Sequence, residues 1–93
     1  MKKETLEKLI ADDTQGILDI DKKGVYRIYG RINSKRGGAF FGFTEQNEPV
    51  FGGGNLIHAP VWWNHSFKEV ADICDKIMLR YPDCQAIPNR CDD

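Results

Sequence analysis

No stretch of this 93-residue chain is long, apolar and uninterrupted. Nothing approaches the roughly 20 apolar residues that a helix needs to cross a bilayer, so no membrane partner is expected. Net charge is also scarce. Thirteen Lys and Arg against fourteen Asp and Glu leave a formal charge of −1, which excludes a globally basic protein but leaves room for a local basic patch. Cysteine occurs three times, at Cys74, Cys84 and Cys91. The N-terminus "MKKETLEKLIADD" alternates charge with leucine and lacks the apolar region of a secretory signal. An odd cysteine count in such a chain argues against a disulfide framework and for the cytoplasm, in a bacterium or a phage-infected one. The competing expectation is a processed secreted protein in which Cys84 bridges Cys91.

The motifs of common chemistries are missing as well. "FGGGNLIHAP" has the glycines of a phosphate-cradling loop but neither its lysine nor a helix directly after it. His58, His65, Cys84 and Cys91 supply metal-ligating atoms without the spacing of a finger or ribbon, and no Cys-x-x-Cys pair is present. No Cys–His, serine or paired-carboxylate arrangement stands out. The expectation is therefore a protein that is not an enzyme, with no cofactor and no metal.

With 41% hydrophobic and 11% aromatic residues and no low-complexity tract, the chain reads as one folded domain over 1–93. A chain of this size buries only about 60–65% of its unfolded surface. Leu6, Leu9 and Ile10 share one stripe of a short helix expected over Lys3–Asp12. Ile17–Ile20 and Val25–Ile32 are β-type runs joined by "DKKG", a tight turn. "NSKRGG" is a second turn, "AFFGFT" a third strand, "EQNEP" a third turn, and "VF" after Pro49 a short fourth strand. "GGGNLIHAPVWWNH" is expected to be irregular. Ser66 and Glu69 form a capping box ahead of a helix over Phe67–Tyr81, whose apolar stripe is Phe67, Val70, Ala71, Cys74, Ile77, Met78 and Tyr81. Pro82 ends it. The tail "DCQAIPNRCDD" reads as loop, with "QAI" as a brief edge strand. The fold class expected is α+β: a small antiparallel β-meander of three to four strands, flanked by an N-terminal and a longer C-terminal helix.

Charge is unevenly spread along this plan. From Lys22 to Thr44 there is no acidic residue, while Lys22, Lys23, Arg27, Arg31, Lys35 and Arg36 fall within that stretch. Strand periodicity places Arg27, Tyr29 and Arg31 on one face and Tyr26, Ile28 and Ile32 on the other. The next strand carries Phe41 and Phe43 on one face and Phe40 on the opposite one. Residues Arg36 to Phe43, "RGGAFFGF", resemble the first ribonucleoprotein motif of RNA-recognition domains, with Gly38 where its stacking aromatic belongs and Phe41 where its aliphatic residue belongs. The string also resembles the Asn-x-x-Lys-Gly turn into Gly-Phe of cold-shock domains, through Asn33 and Lys35. A hairpin where the first family has a helix, and a long helix foreign to the second, keep the chain out of both. The shared physics of cations and rings on a sheet remains.

Trp62 and Trp63, adjacent in an extended segment, point in opposite directions, so one enters the core while the other is free to anchor a partner. The expected function is a small non-catalytic binding protein, such as a phage or bacterial inhibitor or accessory factor. It would dock an anionic partner or a nucleic-acid-binding protein through Arg27, Tyr29, Arg31, Lys35, Arg36, Phe40, Trp62 and Trp63. A protein partner is expected first. Direct binding of single-stranded nucleic acid, and a protein-interaction or oligomer subunit with no nucleic-acid link, are the alternatives.

Overall fold

The computed structural model of the chain describes residues 21–91. The helix expected over Lys3–Asp12 and the strand expected over Ile17–Ile20 lie outside the described residues. Within them, strands β1 (Lys23–Ile32), β2 (Gly38–Phe43) and β3 (Pro49–Gly52) are followed by a 3-10 turn, Leu56–His58. Then come β4 (Trp62–Ser66), helix α1 (Phe67–Arg80) and β5 (Cys84–Arg90).

Strand β1 organises the sheet. At Tyr29 it pairs with Ala39 of β2 and Ile87 of β5; at Tyr26 it pairs with Trp62 of β4 and Arg90 of β5. A strand has two edges. So β5 runs along one edge of β1, while β2 and β4 share the other at opposite ends. All pairings are antiparallel, and β3 continues the sheet beyond β2.

Alternation along β1 sorts its side chains. Tyr26 and Ile28 are buried on the face toward α1, and Arg27, Tyr29 and Arg31 stand on the other. Strand β5 repeats the pattern. Cys84, Ala86 and Pro88 are buried, whereas Gln85, Ile87 and Asn89 are exposed. Helix α1 presents Phe67, Val70, Ala71, Cys74 and Ile77 to the sheet, with Met78 and Tyr81 packed against that core. Ser66 closes β4 and caps α1: its hydroxyl accepts from the Glu69 N–H at 3.1 Å, and the Glu69 carboxylate accepts from the Ser66 N–H at 3.1 Å. Such a cap is worth about 1 kcal/mol. The 3.8 Å ion pair between Lys23 and Glu69 is exposed and adds little.

The turn from β1 to β2 is tight. Asn33 and Ser34 both adopt positive φ, 52° and 60°, and the Lys35 N–H donates to the Ile32 carbonyl at 3.0 Å. Two left-handed residues inside such a bond are the type I′ geometry that matches sheet twist. Farther on, the β2–β3 register slips between Phe40 and Gly42, where Gly42 takes φ +119°. This bulge carries Phe43 to the helix face, where its ring lies 5.4 Å from Phe40 and 6.0 Å from Tyr81.

Three expectations are corrected here. The described architecture is a five-stranded antiparallel sheet carrying one helix, not a meander of three to four strands flanked by an N-terminal and a longer C-terminal helix. The segment after the glycines is not wholly irregular, because "WWNHS" pairs with the start of β1. The tail holds a seven-residue strand rather than a brief one. Both added strands reach β1 from far along the chain, so no hairpin signal announces them. Of the three outer strands, β3 and β5 carry a proline, Pro49 and Pro88, and β4 does not. Without an N–H, a proline blunts an edge against strand addition. Among the described residues no helix is long and apolar enough to cross a membrane.

Candidate partner-binding face

None of the five strands contains an Asp or a Glu. The carboxylates of the described residues sit in turns and on α1, which covers one face of the sheet. The opposite face therefore carries positive charge and rings with no acid among its strand positions. We call it the open face.

Register places its side chains. Arg27 stands opposite Asn89, Tyr29 opposite Ile87, and Arg31 opposite Gln85. Arg31 Nε donates to Gln85 Oε1 at 3.2 Å, which anchors the guanidinium and occupies the amide oxygen. Arg27 is half-buried, and its Nε is shut off from solvent with no hydrogen-bond partner among the described residues. An unmatched buried donor costs about 1–3 kcal/mol, and this one lies beneath the surface, out of reach of a group docking from solvent. Trp63 stands opposite Val25 and is 69% exposed. A bulge between Gly24 and Val25 sets this position, with Asn64 at φ 53°. His65 holds the bulge by donating from Nδ1 to the Trp63 carbonyl at 2.6 Å.

The structure thus brings together Arg27, Tyr29, Arg31 and Trp63. Lys35 and Arg36 are exposed beside them in the β1–β2 connection. Two of the expected residues are not on this face. Phe40 is 5% exposed and belongs to the core, with Phe51 and Trp62 packed against it and the more exposed Phe43 ring edge-on beside it. Trp62 pairs with Tyr26 and so shares the helix side, half-buried, its ring 6.5 Å from Phe40. Their assignment to a binding surface is corrected by that burial.

Between Tyr29 and Arg31, over Gly30, the open face has a cleft of about 260 Å³. Gly37 and Gly38 border it on the β2 side, Gln85 and Ile87 on the β5 side. The bare β2 wall has a packing cause: a Cβ on Gly38 would overlap the Gly52 carbonyl, and one on Gly37 the Gly30 carbonyl. Gln85 and Ile87 were not among the expected site residues, because the sequence placed "QAI" only as a brief edge strand and gave no sign that it pairs with β1. The signal that would have found them is the alternation of small apolar and polar residues in "CQAIPN".

Two other hollows differ in character. One joins Arg31 and Asn33 to Asp83. The other, about 450 Å³, mixes Lys35 and Arg80 with Glu48 and Asp83. Arg80 is already engaged there, lying against the Asn47 side-chain amide and 5.7 Å over the Tyr81 ring. Burial pushes the Cys74 thiol up to about 12 and raises Cys84 as well, so neither is a thiolate nucleophile at neutral pH. Among the described residues no three metal-ligating side chains cluster.

No family model matches the chain, and no curated protein or solved structure matches it either.

Proposed function

We propose that this protein is a small non-catalytic binding protein, an inhibitor or accessory factor acting in the cytoplasm, whose open sheet face docks an anionic partner. One observation carries the reading. Arg27, Tyr29, Arg31 and Trp63 project from the side of the sheet opposite α1, and none of the five described strands holds a carboxylate. Lys35 and Arg36 extend the cationic surface, and neither is in an ion pair among the described residues. Aromatic and arginine side chains on a face that no described element covers are the composition that anchors interfaces. The partner is an acidic protein groove, such as one that normally holds nucleic acid, or a nucleic acid itself. Prolines in two of the three outer strands, β3 and β5, disfavour strand addition at those edges and leave the face as the docking surface.

The test is the double variant Arg31→Glu with Arg36→Glu, both positions exposed. It should keep the wild-type melting temperature within a few degrees and lose at least tenfold in affinity for an acidic probe such as polyglutamate. Unchanged affinity would remove the reading.

A further inference from the structure

We infer that the Tyr29–Arg31 cleft accepts a single unpaired nucleobase, and that the open face binds single-stranded nucleic acid along β1. The inference rests on the anionic-partner reading above and narrows it to one class.

The cleft has the dimensions of a stacking slot. Same-face residues two apart on a strand are separated by about 6.6 Å. One flat ring fills that gap when it lies between two others. Here the walls are a phenol ring and a guanidinium, the two kinds of planar group on which bases stack. Gly37 and Gly38 leave the β2 side without side chains, so a ring enters there unobstructed. The polar rim offers donors. Gln85 Oε1 is occupied by Arg31 Nε, which leaves the Gln85 amide N–H pair and the remaining guanidinium N–H groups. Base carbonyls and ring nitrogens are acceptors of the kind this rim requires.

The surroundings extend the fit beyond one base. Trp63, exposed on the same face opposite Val25, lies four residues along β1 from Tyr29, about 13 Å. It provides a second stacking surface. Between them the half-buried Arg27 offers a cation where a backbone phosphate would pass. Lys35 and Arg36 flank the cleft on the turn side. Beyond Arg31, Asp83 borders the neighbouring hollow, so a polyanion is turned from the cleft toward Trp63. A polyacidic peptide without aromatic residues would satisfy the arginines but has no ring for the cleft or for Trp63. A duplex keeps its bases stacked and cannot insert one without flipping it.

The experiment measures fluorescence anisotropy of the full chain with labelled oligothymidylate, with a duplex of equal length, and with polyglutamate. Tryptophan emission is followed in parallel. The single strand should bind more tightly than the duplex and quench tryptophan emission, with quenching lost in Trp63→Phe. For three to four phosphate contacts its affinity should fall about 20- to 50-fold between 50 and 200 mM salt. Tyr29→Leu should weaken binding about tenfold, while Tyr29→Phe keeps it. Equal affinity for duplex and single strand overturns the inference. So does failure to bind the oligonucleotide while polyglutamate binds and is released by Arg31→Glu with Arg36→Glu, an outcome that leaves the anionic-partner reading standing. If neither probe binds, both fall. The wild-type comparisons do not depend on any variant folding.

Discussion

Trp62 and Trp63 are neighbours in the chain and stand on opposite faces of β4. The first lies 6.5 Å from the Phe40 ring, and the second is 69% exposed. Their split follows from the two-residue period of a strand, and it separates stability from recognition across one peptide bond. Trp62→Ala should cost roughly 2–3 kcal/mol, somewhat less than a fully buried aromatic. Trp63→Ala should stay within about 0.5 kcal/mol of wild type. Urea unfolding followed by circular dichroism distinguishes the two.

The β1–β2 turn offers a stabilising substitution. Ser34 is held at φ 60°, where a Cβ costs roughly 1–2 kcal/mol. Ser34→Gly creates the Asn-Gly pair preferred in this turn. After the entropy a glycine loses on folding, a net gain of about 0.5–1 kcal/mol is expected, read as a higher denaturation midpoint with unchanged slope.

The cap of α1 should give the protein an acid-sensitive component. The Ser66 N–H donates to the Glu69 carboxylate and holds its pKa below the ordinary 4.5. A depressed folded value means the stabilisation is complete above pH 4.5 and is lost as pH falls through the folded value. Glu69→Gln keeps an acceptor that does not titrate. Wild type should therefore lose stability relative to this variant below pH 4.5, and the two should run parallel from pH 6 to 8. Ser66→Ala should cost about 1 kcal/mol at neutral pH.

The cysteines should differ in reactivity. Cys74 and Cys84 are buried and Cys91 is exposed, all three as free thiols. Cys84 and Cys91 bound an extended strand, about 23 Å apart, far beyond disulfide reach. Alkylation of native protein should add one label by mass, at Cys91, and alkylation in denaturant should add three.

How much of this was legible in the sequence depends on range. The Ser66–Glu69 box and the stripe from Phe67 to Ile77 announce α1, because capping and helical period act within a few residues. The alternation of Arg27, Tyr29 and Arg31 against Tyr26 and Ile28 likewise sorts β1 into two faces. Partners far along the chain leave no such mark. Pairing with β1 makes "CQAIPNR" a strand despite Pro88, whose missing N–H is harmless on an outer edge. The bulge at Gly42 reversed the side of Phe43, because period-two counting has no means of registering an extra residue. Of the site, the cations were readable, and so was one outward tryptophan of the Trp62–Trp63 pair, though not which of the two. The cleft was not, since one of its walls is brought in by β5.

That same pairing imposes a schedule on synthesis. Arg31 leaves the ribosome 54 residues before Gln85, the residue it will hydrogen-bond. At roughly 5–20 residues per second, the β5 edge of β1 waits about 3–10 s for its partner. Throughout that interval the central strand of the sheet is a half-satisfied template carrying Tyr26 and Ile28. Its two arginines and the lysine at its start then serve a purpose unrelated to any ligand: like charges on every copy keep nascent chains from pairing with each other before each can close on itself.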